Sequence, residues 1–224
     1  MKRLLIIMTL FLSVNAIAQG DIEKNLGDFN EIKVYDLINV ELVKSNENRA
    51  IISGDNKSDV EVINKNGSLR IKMRLGQNFV GNKTVVTLYF KNIEVIDANE
   101  GSYVSSEDIF KQYNIELRVQ EGAIIKVPLD VTDSKIKAVT GGEIEVMGKA
   151  VRQDISMNTG GIFQGKNLES ESTYISISAA GEGHINASRL ADVKIRAGGD
   201  VYIYGHPEKV NETKMLGGRV KLME

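Results

Sequence analysis

Cysteine and tryptophan are absent, and proline and histidine occur only twice each in the 224 residues. Without cysteine there is no disulfide framework, no thiolate metal site and no thiol for lipid attachment. An exported protein of this composition must be held together by its core alone. Nucleophilic catalysis needs a base beside the nucleophile, and only His184 and His206 offer an imidazole. They lie too far apart in sequence to form an i, i+4 metal pair on a helix. No charge of one sign dominates either. The formal net charge is −2, and no basic patch interrupts the mixture, so nucleic acid is not an expected partner. The content of 42 % hydrophobic and 26 % charged residues is a globular balance and excludes a disordered chain.

Only one long apolar run exists. Leu4 to Val14 is preceded by Lys2 and Arg3 and followed by Ala16-Ile17-Ala18. These are the three parts of a secretory signal peptide, assigned to residues 1–18. The run is too short to span a bilayer and no second one follows. Loss of Lys2 and Arg3 on cleavage takes the net charge from −2 to −4. The expected location is the periplasm, the outer surface or the medium.

Glycine is plentiful at 21 residues, and it is periodic. From about residue 93, a glycine followed by any residue and then an apolar one recurs at Gly101, Gly122, Gly142, Gly160, Gly183, Gly199 and Gly218. The mean spacing is about 20 residues, with an irregular pair of 23 and 16 on either side of Gly183. Short alternating segments flank these glycines, such as Ile115 to Val119, Ile136 to Ala138, Ile144 to Val146 and Val201 to Ile203. Apolar side chains at i and i+2 share one face of a strand. A unit this short cannot bury that face alone and must stack on its neighbours. The spacing predicts an all-β parallel β-solenoid of about seven short coils over residues 93–224, with glycines at the corners. Hairpins of an antiparallel sandwich are the competing arrangement. A full period near 20 rather than 10 favours the solenoid.

Residues 19–92 are strand-rich but less regular. Period-2 segments include Ile32 and Val34, Val40 and Leu42, Leu69 to Met73, and Val86 to Phe90. Asn66-Gly67 between two of them is a hairpin signal. This part is expected to form a β-sheet region that caps the first coil, sharing one core with the coils. No segment reads as a helix.

The segments Phe29 to Val34, Ile51 to Asp55, Gly67 to Ile71 and Ile203 to Pro207, with the repeated glycine units, resemble the putative auto-transporter adhesin, head GIN domain family. Gly183-His184-Ile185-Asn186 is similar to its Gly-Ile-Asn signature with one residue inserted. The resemblance implies a β-helical fold and an adhesin-type role. It brings no catalytic residues.

Other candidate chemistry is thin. Asp97, Glu100, Glu107 and Asp108 gather near one corner, and Glu169, Glu171, Glu182 and Asp192 lie further on. Neither group has the spacing of a Ca²⁺ loop. The pairs Gly141-Gly142, Gly160-Gly161, Gly198-Gly199 and Gly217-Gly218 precede strands, whereas a phosphate loop needs a helix N-terminus behind it. His184 occupies a repeat position whose counterparts vary, as expected of an exposed site. No catalytic residue, cofactor or metal is expected. Tyr202 and Tyr204 are the candidate exposed contacts for a glycan or protein partner. The reading is a non-catalytic binding or adhesion module. The alternatives are a polysaccharide-active β-helix enzyme, which would need a carboxylate pair in a groove, and a structural or envelope-sensing periplasmic protein. An open last coil could also pair with a second copy.

Overall fold

The computed structural model describes residues 20–224. The signal peptide assigned to residues 1–18 lies outside the described residues. The first nine strands are β1 (Ile22–Asn25), β2 (Glu31–Val34), β3 (Asn39–Lys44), β4 (Arg49–Gly54), β5 (Val60–Lys65), β6 (Ser68–Met73), β7 (Thr84–Phe90), β8 (Val95–Ala98) and β9 (Tyr103–Ser106). They continue as β10 (Phe110–Val119), β11 (Ile124–Val139), β12 (Glu143–Asn158), β13 (Gly161–Ile177), β14 (Gly181–Ala197), β15 (Asp200–Tyr204), β16 (Lys209–Leu216) and β17 (Arg219–Leu222). Two short 3-10 turns, Lys57–Asp59 and Gly81–Lys83, are the helical elements among the described residues.

From β8 onward each coil lies in parallel register on the next. β10 pairs with β11, β11 with β12, β12 with β13, and β13 with β14, all parallel. The antiparallel sandwich is therefore excluded. Within β11 the buried positions are Ile125, Val127, Leu129 and Val131, then Ser134, Ile136 and Ala138. The alternation slips by one residue at Thr132-Asp133. That slip keeps the inner face inward as the strand bends around the coil.

Register converts the repeat into columns. One runs Leu69, Ile32, Ile96, Leu117, Ile136, Ile155, Ile175, Val193. A second runs Val86, Val40, Val104, Ile125, Ile144, Phe163, Gly183, Val201. Successive rungs are about 4.8 Å apart, so each aliphatic side chain packs on its equivalents above and below. The buried apolar residues of the early and late strands belong to one cluster.

Spatial order departs from chain order at the start. β2 lies between β6 and β8, and β3 between β7 and β9. The coil that comes first in sequence is thus sandwiched between the coils that come second and third. The outer end is closed by antiparallel strands: β4 on β7, β1 on β4, and β5 on β6. Asn66 and Gly67, with φ of 54° and 81°, turn the β5–β6 hairpin. This is the two-residue turn with positive φ at both centres that matches strand twist.

The corners are dipeptides with positive φ at both residues: Glu100-Gly101, Glu121-Gly122, Thr140-Gly141, Thr159-Gly160, Ala180-Gly181, Gly198-Gly199 and Gly217-Gly218. At three of them a backbone bond closes the turn, from Ser102 N to Asn99 O, Ala123 N to Gln120 O and Gly142 N to Val139 O. Gly101, Gly122, Gly160, Gly199 and Gly218 lie within these dipeptides. Two sequence assignments need correction. Gly142 follows its turn, and Gly141 carries the positive φ. Gly183 does not turn the chain at all. It sits inside β14 at an inward position, where a Cβ would lie 2.5 Å from Ile175 Cδ1. Glycine is needed there for space, and Gly181 makes the corner.

Ile155 is fully buried in mid-column. Ile155→Ala is expected to lower unfolding free energy by about 2–5 kcal/mol. Lys137→Ala on the outer face should stay within about 0.5 kcal/mol. Urea midpoints of both variants check this, and equal effects would contradict the column as the source of stability.

Candidate functional site

The regular register breaks along β13, around Gly165 to Leu168 and again between Ser170 and Ser172. Between β12 and β13, Glu145 pairs with Gln164 but Met147 with Asn167. Between β13 and β14, Gln164 pairs with His184 but Glu169 with Asn186. The chain around Gly165 to Leu168 therefore carries extra residues and bulges from the wall. Bulges re-aim side chains and cluster at functional sites. This one contributes to the long spacing before Gly183, together with the placement of the corner at Gly181.

Lys166 stands exposed on the bulge. Asn186 Nδ2 donates to its carbonyl at 2.9 Å, and its ammonium lies 5.0 Å from the centre of the Tyr204 ring. One rung further, His184 is in register with Tyr202 and stacks on it, with centroids 4.6 Å apart and planes within 15°. Nε2 of His184 lies 2.8 Å from Glu182 Oε1, and Nδ1 lies 3.3 Å from the Tyr204 hydroxyl. This arrangement fits a proton on Nε2, donated to the carboxylate, with Nδ1 accepting from Tyr204. The His184 side chain is only 18 % exposed, which corrects the expectation of a free surface histidine. Tyr202 and Tyr204 are half-buried. His184 covers one face of Tyr202, so the rings offer edges and hydroxyls rather than a free flat platform. His206 lies in the exposed loop beyond and does not join the cluster.

Beside the cluster runs an open groove of about 610 Å³, lined by Lys149, Glu169, Ser170, Asn186, Ser188 and Gly205 among others. Its wall includes the in-register ladder Asp130, Lys149, Glu169, which alternates in charge. Gly205 brings the backbone close to Asn186, because a Cβ there would fall 2.2 Å from Asn186 Oδ1. Behind the groove the inner column turns polar. Ser170 Oγ donates to Asn186 O at 2.7 Å and lies 2.8 Å from Thr173 Oγ1, which accepts from the buried Gln153 amide at 3.2 Å. These bonds tie the groove wall to the coil behind it, while the buried Gln153 Oε1 has no hydrogen-bond partner.

A second groove, of about 480 Å³, lies on another wall and is lined by Asp97, Glu116, Arg118, Lys135, Lys137 and Asp154 among others. Its charges largely pair with each other. Arg118 bonds Glu116 at 2.9 Å and approaches Glu31 at 3.7 Å, and Lys135 reaches Glu116 at 3.3 Å. The Arg118 hydrogen bond holds the Glu116 carboxyl below its ordinary range. Burial pushes Asp97 up, against the pull of its Asn99 hydrogen bond and of Lys33.

The acidic clusters of the sequence are dispersed into separate tasks. Asp108 accepts from the Lys44 backbone at 2.7 Å, Asp97 accepts from Asn99 at 3.1 Å, and Glu182 holds His184. Among the described residues no three His, Asp or Glu side chains converge as metal ligands. No helix among them is long and apolar enough to cross a membrane. Lys166 and Asn186 were not legible as a pair from sequence. The irregular spacing around Gly183 was the signal that marked their region.

Residues 28–207 match the family described as putative auto-transporter adhesin, head GIN domain. The chain belongs to that family. Its fold is similar to that of a putative adhesin from Bacteroides fragilis, with TM-score 0.82 and 18 % identity over 91 % of this chain and 96 % of that one. A putative adhesin from Parabacteroides distasonis gives TM-score 0.73 and 17 % identity over 92 % and 98 % of the two chains. A protein from the same organism, described as a putative lipid binding protein, gives TM-score 0.67 and 14 % identity over 92 % and 98 %. At these identities the likeness is one of fold. No curated protein sequence matches the chain.

The Glu116 shift has a stability consequence. A carboxyl with a depressed folded pKa contributes above its unfolded pKa, about 4.3, and the contribution is lost as pH falls through the folded value. Stability is expected to drop on acidification below that point, and Glu116→Gln should flatten part of the drop. Urea midpoints at neutral and acid pH measure it. An unchanged acid limb in the variant would remove Glu116 from the account.

Proposed function

We propose that this adhesin-family chain is an exported, non-catalytic binding module whose ligand is a polyhydroxylated chain, a glycan, seated in the groove beside the bulge. The observation that carries this reading is the placement of the bulge around Gly165 to Leu168. It sets Asn186 in the wall of an open groove, with Lys166 held beside it through the Asn186 hydrogen bond and Tyr204 under the Lys166 ammonium. The lining mixes donors and acceptors of both charges with the apolar Val151. That mixture suits hydroxyl-rich ligands, which need hydrogen bonds in several directions and apolar contact with ring carbons. Export follows from the signal-peptide pattern of residues 1–18 and from the adhesin description of the family. The groove faces outward along the rod, so it is reachable by a ligand on another surface.

Two lost polar contacts of about 0.5–1.5 kcal/mol each amount to roughly tenfold in affinity. On a glycan array, K166A/N186A is therefore expected to bind roughly ten times more weakly than the parent, with the fold retained by circular dichroism. K65A, on the capping hairpin, should bind as the parent does. Absence of glycan binding by the parent would refute the reading. Reproducible new reducing or unsaturated ends after incubation with the bound glycan would show an enzyme instead.

A further inference from the structure

The end of the rod remote from the antiparallel cap has a distinctive composition. β16 pairs with β14 along one edge, and among the described residues no strand pairs with its other edge. Its inward positions follow from register on buried residues: Val210 on Ala191, Glu212 on Val193 and Lys214 on Ile195, while Leu216 lies on the exposed Ala197 at the corner. Two long aliphatic columns thus end in a carboxylate and an ammonium, which pair with each other at 2.5 Å. On the adjoining wall the columns stay apolar, with Val220 on Val201 and Leu222 on Ile203. Leu216, Met215 and Leu222 are 74 %, 73 % and 68 % exposed. Every earlier coil buries its inward apolar residues almost completely. This coil alone mixes core-position charge with open apolar surface.

The order of these residues is self-complementary. In an antiparallel pairing of β16 with its own copy, centred on Thr213, Glu212 faces Lys214 of the partner subunit, and Lys214 faces Glu212 of the partner subunit. Val210 faces Leu216 of the partner subunit, and Asn211 faces Met215 of the partner subunit. The pairing satisfies the free backbone edge, extends the apolar columns of the β15–β17 wall and neutralises both charges. Stacking on the opposite end of another copy could satisfy the backbone edge but not the charges. There the outermost inward positions on β5 belong to Val60 and Val62, so Glu212 and Lys214 would be buried against apolar side chains with no opposite charge supplied by the other copy. Inward charges of this kind are a known defence against open-ended edge pairing. A two-fold axis closes the assembly at two copies, whereas head-to-tail stacking would run on.

We infer that the protein forms a closed, two-fold, end-to-end dimer through antiparallel pairing of β16, with the Glu212–Lys214 pair selecting that partner and excluding filaments. The inference stands apart from the glycan reading, because the groove and this edge share no residue. Sedimentation equilibrium of the purified protein across a concentration series is expected to show a monomer–dimer equilibrium that weakens with salt. E212K sets like charges opposite each other and should weaken dimerisation roughly tenfold or more. E212K/K214E restores opposite charges and should recover it. Circular dichroism and melting curves separate loss of pairing from loss of fold. The inference is overturned by a parent that stays monomeric at the highest concentration, by open-ended oligomers, or by a folded E212K that dimerises as tightly as the parent.

Discussion

Like side chains stacked in register at about 4.8 Å spacing are the constraint on which the rest of the molecule depends. The column from Leu69 to Val193 is a single file of aliphatic residues, each supplied by a different coil. No coil has a core of its own, because an isolated loop of some twenty residues buries little apolar area. Every rung is stable only through its neighbours. The backbone ladder and the side-chain column reinforce each other: hydrogen bonds set the register, and the register brings Ile136, Ile155 and Ile175 into line. The corners obey the same rule, since Gly101 N donates to Glu121 O and Gly122 N to Thr140 O, carrying the ladder around the bends.

Much of this was legible in the sequence, because the two signals involved are local. Alternation with period 2 marks the inner face, and a glycine near every twentieth residue marks the return of the chain to the same corner. The Asn66-Gly67 hairpin was legible for the same reason, since its turn chemistry lies in two adjacent residues. Gly183 misled because Gly181-Glu182-Gly183 offers two glycines for one corner. Only packing against Ile175 separates the one that bends the chain from the one that makes room. The stacking of the first coil between the second and third was beyond reach. β2 reaches β8 some 64 residues away, and nothing in either strand specifies which partner lies on which side.

The candidate site illustrates how a repeat scaffold acquires individuality. In a strictly regular rod every outward ladder would be equivalent. Extra residues around Gly165 to Leu168 break that equivalence on one wall and push Lys166 outward. The same irregularity brings Asn186 under its carbonyl. His184, Tyr202 and Tyr204 then cluster because three outward positions on adjacent rungs are aromatic or imidazole. Their proximity depends on which rung neighbours which, information that sequence separation alone does not carry. The charged wall with Arg118 and Glu116 is the contrasting case, in which most of the outward charges are used up on one another.

The intercalated first coil carries a consequence for how the chain reaches its native form. β2 and β3 can be flanked on both sides only after β6 through β9 have arrived. A chain that emerges N-terminus first from the ribosome cannot zip itself up from that end. The leading segment must wait, edges unsatisfied, until its partners on β8 and β9, 64 residues further along the chain, have emerged. Contacts of such sequence separation are closed slowly. Until then the earliest strands are the ones most exposed to capture by chaperones or by the wrong partner, so protection during synthesis matters most for the part of the molecule that appears first.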